Sequence, residues 1–178
     1  LLGLVGSEMC IRDSLLHSLS ISKFIEFKKD TKILDLGTGG GLPGIPLSIV
    51  FPDSKFKLID RKNKKINVLN KIISELGINN ASAESIDIID SNYNYDFIVN
   101  RAVSSADNLI KLCKGKINYK GENKIKNGII CLKGGNLNSE LKNIDKFHIV
   151  ESTTSKSEQF FETKKILYIP NPYSHMDS

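Results

Sequence analysis

Apolar and polar positions along this chain follow two alternating periods, and each change of period marks an element. From Leu15 onward, Leu15, Leu16, Leu19, Phe24 and Ile25 recur at helical spacing until "FKKDTK" breaks the pattern. "KILDLG" is then a short buried strand running into a glycine-rich loop, and Pro43 suits the first turn of a helix through about Val50. "FPDS" is a turn, and "KFKLID" alternates as a second strand ending at Asp60. Ile66, Leu69, Ile72, Ile73 and Leu76 form the inward face of an amphipathic helix closed by Gly77. A weak strand in "NASAES", a strong one in "YDFIVNRA", a helix in "SADNLIKLC" and a buried strand in "GIICLKG" continue the alternation. "NLNSELKNI" reads as helical. "FHIVEST" and "KKILYIP" read as two late strands, paired antiparallel because only a short loop joins them. Strand and helix alternating at this spacing predict an α/β fold: a doubly wound, mostly parallel twisted sheet with an antiparallel C-terminal strand and helices on both faces.

Two stretches stand outside that pattern. "GKINYKGENKIKNG" (115–128) reads as a polar, lysine-rich loop, solvated and mobile. "LLGLVGSEMCIRDS" has no periodicity that joins the helical pattern after it and resembles a cloning or sequencing remnant. Residues 1–14 are therefore set apart from a single domain over 15–178, with the native N-terminus expected to be missing.

With 178 residues and 40% of them hydrophobic, the chain can bury one domain well and two only with difficulty. No apolar run is long enough to span a bilayer, and the first residues lack the features of a secretory signal. Cys10, Cys113 and Cys131 show no metal-ligand spacing and read as free thiols in a reducing cytosol. A cytoplasmic, metal-free monomer that does not engage membranes is expected. The formal charge of +5 fits an anionic partner. Abundant Lys, Asn and Ile also fit an AT-rich genome, so composition by itself does not choose.

The glycine loop carries the chemistry. In an open α/β sheet, ligands sit beyond the carboxyl ends of the strands where the strand order reverses. Gly37, Gly39, Gly41 and Gly44 leave backbone N–H groups open to a ligand, and Asp60 is placed to accept both hydroxyls of a ribose. "GGGLPG" (39–44) satisfies the dinucleotide pattern. Asp35 argues against a pyrophosphate, because a carboxylate in the strand beneath the loop repels phosphate and suits a cationic ligand. S-adenosyl-L-methionine joins a ribose to an ammonium and a sulfonium. The alternative for Asp35 is a carboxylate that caps the loop, and one group can do both.

On these residues the sequence resembles the bacterial glucose-inhibited division protein B (GidB, RsmG-type) family. The resemblance lies in "ILDLGTGGGLPGIPLSIVFPDSKFKLID", "NKKINVLNKIISELGINN", "AES", "VNRAVSS" and "CLKGG". It implies a Rossmann-like S-adenosylmethionine-dependent methyltransferase that acts on N7 of a guanine in the 530-loop region of 16S ribosomal RNA, free or in the small ribosomal subunit. It implies cofactor contacts from Gly37, Thr38, Gly39, Gly41 and Leu42, from Ala83 and Glu84 over the adenine, and from Arg101. For Glu84 a solvated loop acid is the alternative; for Arg101, a surface pair with Asp96 or Asp107. Arg101 and Lys133 are candidate substrate contacts, the lysine as a phosphate ligand or one more exposed lysine. Lys62, Lys64 and Lys65, with Lys111, Lys114, Lys116, Lys120, Lys124 and Lys126, are expected to add RNA affinity.

The residues after the fourth strand, Asn100-Arg101-Ala102-Val103, contain neither a cysteine nucleophile nor the Asn/Asp-Pro-Pro-aromatic motif of amine methylation. No general base is assigned, since guanine N7 carries a lone pair and no proton. A small-molecule methyltransferase and a non-catalytic dinucleotide-binding protein are the rivals. The chain departs from the family at its beginning. Asp13-Ser14-Leu15-Leu16-His17-Ser18 stands where the family has Arg-His, two apolar residues and Asp-Ser, which puts the activity of this chain in doubt, and His17 reads as a helix-surface residue.

Overall fold

The computed structural model describes residues 2–101, 104–152 and 163–173, with side chains from Cys10 onward. Its elements run α1 (Leu2–Leu19), α2 (Ile21–Phe24), β1 (Lys32–Leu36), α3 (Gly44–Val50), β2 (Lys55–Asp60), α4 (Asn63–Glu75) and β3 (Ala81–Ser85). After a 3₁₀ turn (Ile88–Asp90) come β4 (Phe97–Arg101), α5 (Ala106–Leu112), β5 (Gly128–Gly134), β6 (His148–Glu151) and β7 (Lys164–Pro170).

The strands form one seven-stranded sheet in the order β3-β2-β1-β4-β5-β7-β6. β1 to β5 are parallel; β7 runs antiparallel to β5, and β6 antiparallel to β7, as the late pair of strands predicts. The strand order reverses between β1 and β4, which leaves a crevice beyond their carboxyl ends. β4 and β5 are buried on both faces, the usual state of a parallel sheet covered by helices. One core cluster includes Leu34, Ile98, Leu109, Cys113, Ile129 and Leu167 on the side of α5. Another includes Ile33, Leu47, Leu58, Leu69, Phe97 and Ile130 on the side of α1 to α4. Neighbours such as Ile33 and Leu34 go to opposite clusters because a strand alternates its side chains.

Several expectations change. The helix expected from Leu15 is continuous from Leu2 to Leu19. Its inward side carries His17 and Ser18, whereas Leu15 is 40% exposed. Small hydroxyls can sit there because Ser18 donates to the Ser14 carbonyl and Ser20 to that of His17. Residues 136–144 are turns rather than a helix. The Asn136 side chain accepts from the Asn138 amide, an Asx turn competing with a helical start, and Leu137, Leu141 and Ile144 are buried beneath. The 115–128 segment is tied down. Ile117 is buried, Asn118 donates to Asp96, and the Asn127 amide donates to Asp96 and to the Asn118 and Lys120 carbonyls.

Candidate functional site

β1 delivers its loop to the crevice. The buried Asp35 Oδ2 accepts from Thr38 Oγ1 at 2.6 Å and from the Gly44 amide at 2.8 Å. One carboxylate oxygen thus ties the start of the glycine loop to the first residue of α3. Gly44 has to be a glycine: a Cβ there would lie 2.7 Å from Asp35 Oδ2 and 2.8 Å from Leu58 Cγ. Burial pushes the Asp35 carboxyl up to about 6, against the opposing pull of Thr38, Gly44 and the field of Arg101. Its other oxygen, Oδ1, is buried without a hydrogen-bond partner.

Beyond the loop lies a cleft of about 470 Å³. Leu36 and Gly37 of the first strand end, Ile59 to Lys62 and Lys65 of the second, Ile86 to Ile88 of the third, and Arg101, Ser104, Asn108 and Leu112 line it. Asp60 is held on its wall. Oδ2 accepts from the Gly39 amide at 3.1 Å, Oδ1 from the Lys62 amide at 2.9 Å, and Lys65 Nζ lies 3.5 Å away. Burial acts to raise this carboxyl, but those amides and the ammonium outweigh it and hold it below the ordinary range. It is an ionised acceptor. Arg61 and Asp87 pair at 2.7 Å across the β2 and β3 ends. The half-buried Arg101 makes no hydrogen bond or ion pair among the described residues. Its expected alternative partner Asp96 lies at the far end of β4, bonded to the Lys32 amide and Asn118.

The cleft brings together Gly37, Asp60 and Arg101, with Gly39 held to Asp60. Other expected site residues fall elsewhere. Asp35 and Thr38 lie under the loop and clamp it; the capping alternative for Asp35 describes what it does in the structure. Ala83 and Glu84 sit within β3, and the Glu84 carboxylate pairs with Lys57 at 2.6 Å. The residues after β3 that border the cleft are Ile86, Asp87 and Ile88. Lys133 is not the exposed lysine of the alternative reading. Its side chain is 9% exposed, and Nζ donates at 2.6 Å to both the Ser104 carbonyl and Glu140 Oε1. Glu140 Oε1 also accepts from the Ala106 amide, so the pair fastens the β4–α5 connection.

The lysine clusters divide. Lys62 and Lys65 border the cleft, whereas Lys116, Lys120, Lys124 and Lys126 precede β5 and lie toward the amino ends of the strands. Lys111 lies in the last turn of α5 and Lys114 just beyond its C-cap, and the helix runs back toward that same end. His17 is buried and 3.4 Å from the Lys165 carbonyl; desolvation, reinforced by Lys164 and Arg101, lowers its pKa to about 4. Burial pushes the Cys131 thiol up to about 11 and raises that of Cys113, so neither is a nucleophile. Among the described residues no group of His, Cys, Asp and Glu is arranged to hold a metal, and no helix is long and apolar enough to cross a membrane.

Asp87, Ser104 and Asn108 escaped sequence reasoning. Asp87 had a signal, since it caps the 3₁₀ turn by accepting from the Ile89 amide, and an Asp before an apolar run is a start signal. Ser104 and Asn108 come into place through the α5 start, which sequence spacing does not show.

Known proteins share both the sequence and the architecture. The family model described as GidB, rRNA small subunit methyltransferase G, matches residues 3–168. The ribosomal RNA small subunit methyltransferase G of Christiangramia forsetii is 45% identical over 159 residues, covering 89% of this chain and 75% of its relative. That of Bacteroides thetaiotaomicron is 43% identical over 155 residues, covering 86% and 75%. Among solved structures, an S-adenosylmethionine-dependent O-methyltransferase from Thermotoga maritima superposes with a TM-score of 0.64 at 13% identity, covering 85% of this chain and 63% of that one. That likeness shows the fold.

Proposed function

This chain belongs to the GidB family of rRNA small subunit methyltransferase G proteins, and from that premise we propose that it transfers a methyl group from S-adenosylmethionine to N7 of a guanine in the 530-loop region of 16S ribosomal RNA. Its substrate is 16S rRNA, free or in the small ribosomal subunit, and its place of work is the cytoplasm. The observation that carries the reading is the cleft at the strand-order reversal, where an ionised Asp60, backbone of the glycine loop and Arg101, without an ion pair among the described residues, converge.

That donor set fits the cofactor. Asp60 offers two carboxylate oxygens to a ribose diol. Ile59, Ile86, Ile88 and Leu112 supply apolar walls for a purine, with the Asp87 carboxylate and the 86–88 backbone at its edge. Arg101 matches a carboxylate bidentately, and the buried Asp35 adds negative charge beneath the loop that favours a cationic ligand above it. When bound, S-adenosylmethionine supplies an electrophilic methyl on a sulfonium. The protein positions and screens: the clamped loop, Asp60 and Arg101 hold one reactant still, so that a guanine seated at the rim meets it in line. N7 has an in-plane lone pair and no proton to lose, so Arg101 and the loop amides contribute alignment and electrostatics rather than proton transfer.

Methyl labelling of 16S rRNA and of small subunits, with the modified base mapped, tests the assignment; no label in either substrate overturns it. Calorimetric titration should show S-adenosylhomocysteine binding and no NAD binding. Arg101→Ala should lower kcat/KM by about 100-fold, with Arg101→Lys only partly restoring it because a lysine lacks the fork.

A further inference from the structure

The β3–β4 crossover is short. Between Ser85 and Phe97 it holds only the 3₁₀ turn Ile88–Asp90, where a parallel connection usually places a packed helix. One face of β2 and β3 is consequently left without a covering helix. Side chains on β2 alternate, so Lys55, Lys57 and Ile59 share that face while Phe56 and Leu58 are buried on the other. On β3, Ser82 is registered beside Lys57, and Glu84 reaches Lys57 from the same side. A parallel sheet is ordinarily apolar on both faces; here Ile88 and Tyr95 of the crossover cover Ile59, and the half-face beside it is polar and open.

What surrounds it is a groove of about 490 Å³ lined by Lys32, Lys55, Lys57, Ser82, Tyr93 and Asn94, among others. Tyr93 is 66% exposed, an unusual state for an aromatic ring, and its neighbours Asn92 and Asn94 are exposed too. The segment that presents them is anchored on both sides. Lys116 Nζ donates to the Ser91 carbonyl, and Tyr95 is buried in the core. The acids beside the groove are Asp30, 2.7 Å from Lys55, Glu84, 2.6 Å from Lys57, and Asp96, whose carboxylate accepts from the Lys32 amide and from Asn118. Both ion pairs are solvent-accessible, the kind that contributes little and exchanges readily for another anion. Lys32 has no ion pair among the described residues.

We infer that this groove is a second contact surface for the RNA substrate, with Lys32, Lys55 and Lys57 on phosphates and Tyr93 stacking an unpaired base. The inference rests on the methyltransferase reading of the cleft. Cations beside an exposed ring, with amides within reach of base edges, are what single-stranded RNA recognition uses. A protein partner would call for a larger apolar area than the groove offers. Lys32 and Lys55 are the first residues of β1 and β2, so the groove opens at the amino ends of the strands, the end to which Lys116 and Lys120 also belong, and an RNA held there is gripped apart from the cleft.

The test measures anisotropy of a labelled 16S rRNA fragment containing the target guanine, with S-adenosylhomocysteine present, across a salt series. The combined Lys32→Gln, Lys55→Gln, Lys57→Gln variant should bind RNA about 10-fold more weakly and lower the log–log salt slope by about 2, at roughly 0.7 for each phosphate no longer neutralised. Tyr93→Ala should weaken binding several-fold and Tyr93→Phe should not, since stacking needs the ring and not the hydroxyl. Calorimetric S-adenosylhomocysteine affinity should stay at the wild-type value in all of them, which shows that the fold and cleft are intact. Wild-type RNA affinity and slope in the lysine variant overturn the inference. Weakening seen with assembled small subunits but not naked RNA overturns it in favour of a ribosomal protein contact. Failure of the unaltered protein to label RNA counts against the methyltransferase reading instead, while the anisotropy comparison still decides the groove.

Discussion

Lys133 Nζ sits 2.6 Å from a carbonyl and 2.6 Å from a carboxylate, so its counter-charge is already supplied from within the fold. Its neighbour Glu140 also caps the Ala106 amide, so removing the lysine strands a mostly buried carboxylate. Lys133→Ala should therefore destabilise the protein by about 3 kcal/mol in urea unfolding and leave the salt slope of RNA binding unchanged. A phosphate ligand would do the reverse, losing slope and keeping stability. Arg101 is its opposite. No partner among the described residues holds the guanidinium, and it borders the cleft beside Asp60. Residue type is the same kind of fact for both; what separates them is whether the fold has already supplied a counter-charge.

Among elements, the glycine loop shows how position decides which glycines matter. A Cβ at Gly44 would meet Asp35 and Leu58 at less than van der Waals distance, whereas one at Gly40 would meet nothing within 4 Å. Gly44→Ala must push the start of α3 away from the Asp35 clamp, at a cost of about 2 kcal/mol. It should weaken S-adenosylhomocysteine binding at least 10-fold by calorimetry. Gly40→Ala, in the same loop, should bind within about two-fold of the parent protein. Equal effects would mean that the clamp does not shape the loop. The late segment 136–144 makes the complementary point. Its apolar spacing is helical, yet its asparagines and serine favour local side-chain bonds, and Glu140 is drawn toward Lys133 and Ala106.

Across the whole molecule, two buried groups should oppose each other as pH changes. Asp35 has a folded pKa raised from 3.8 to about 6, so its contribution to stability is fully present below about pH 4 and is lost as pH rises through 6. His17 has a folded pKa lowered from 6.5 to about 4, so its contribution is present above pH 6.5 and is lost as pH falls toward 4. Each spans about 3 kcal/mol, and between pH 4 and 6 they nearly cancel. Asp35→Asn should expose a loss of stability on acidification, and His17→Gln a loss on going from pH 4 to 6, both read from urea midpoints. Flat profiles in both variants would show that neither group is perturbed by burial. The alternation of strands and helices, the glycine loop, Asp60 and the antiparallel C-terminal pair were legible in the chain itself, because hydrophobic period and turn chemistry are local properties. So was the family, through the run from Ile33 to Asp60. Tertiary structure alone decided that Asp35 clamps rather than lines the cleft, that Lys133 is neutralised, that Ala83 and Glu84 stay within the sheet while Asp87 reaches the rim, and that most of the lysines of 111–126 face away from the cleft. Those outcomes depend on which distant groups meet in space, and local periodicity carries no information about that.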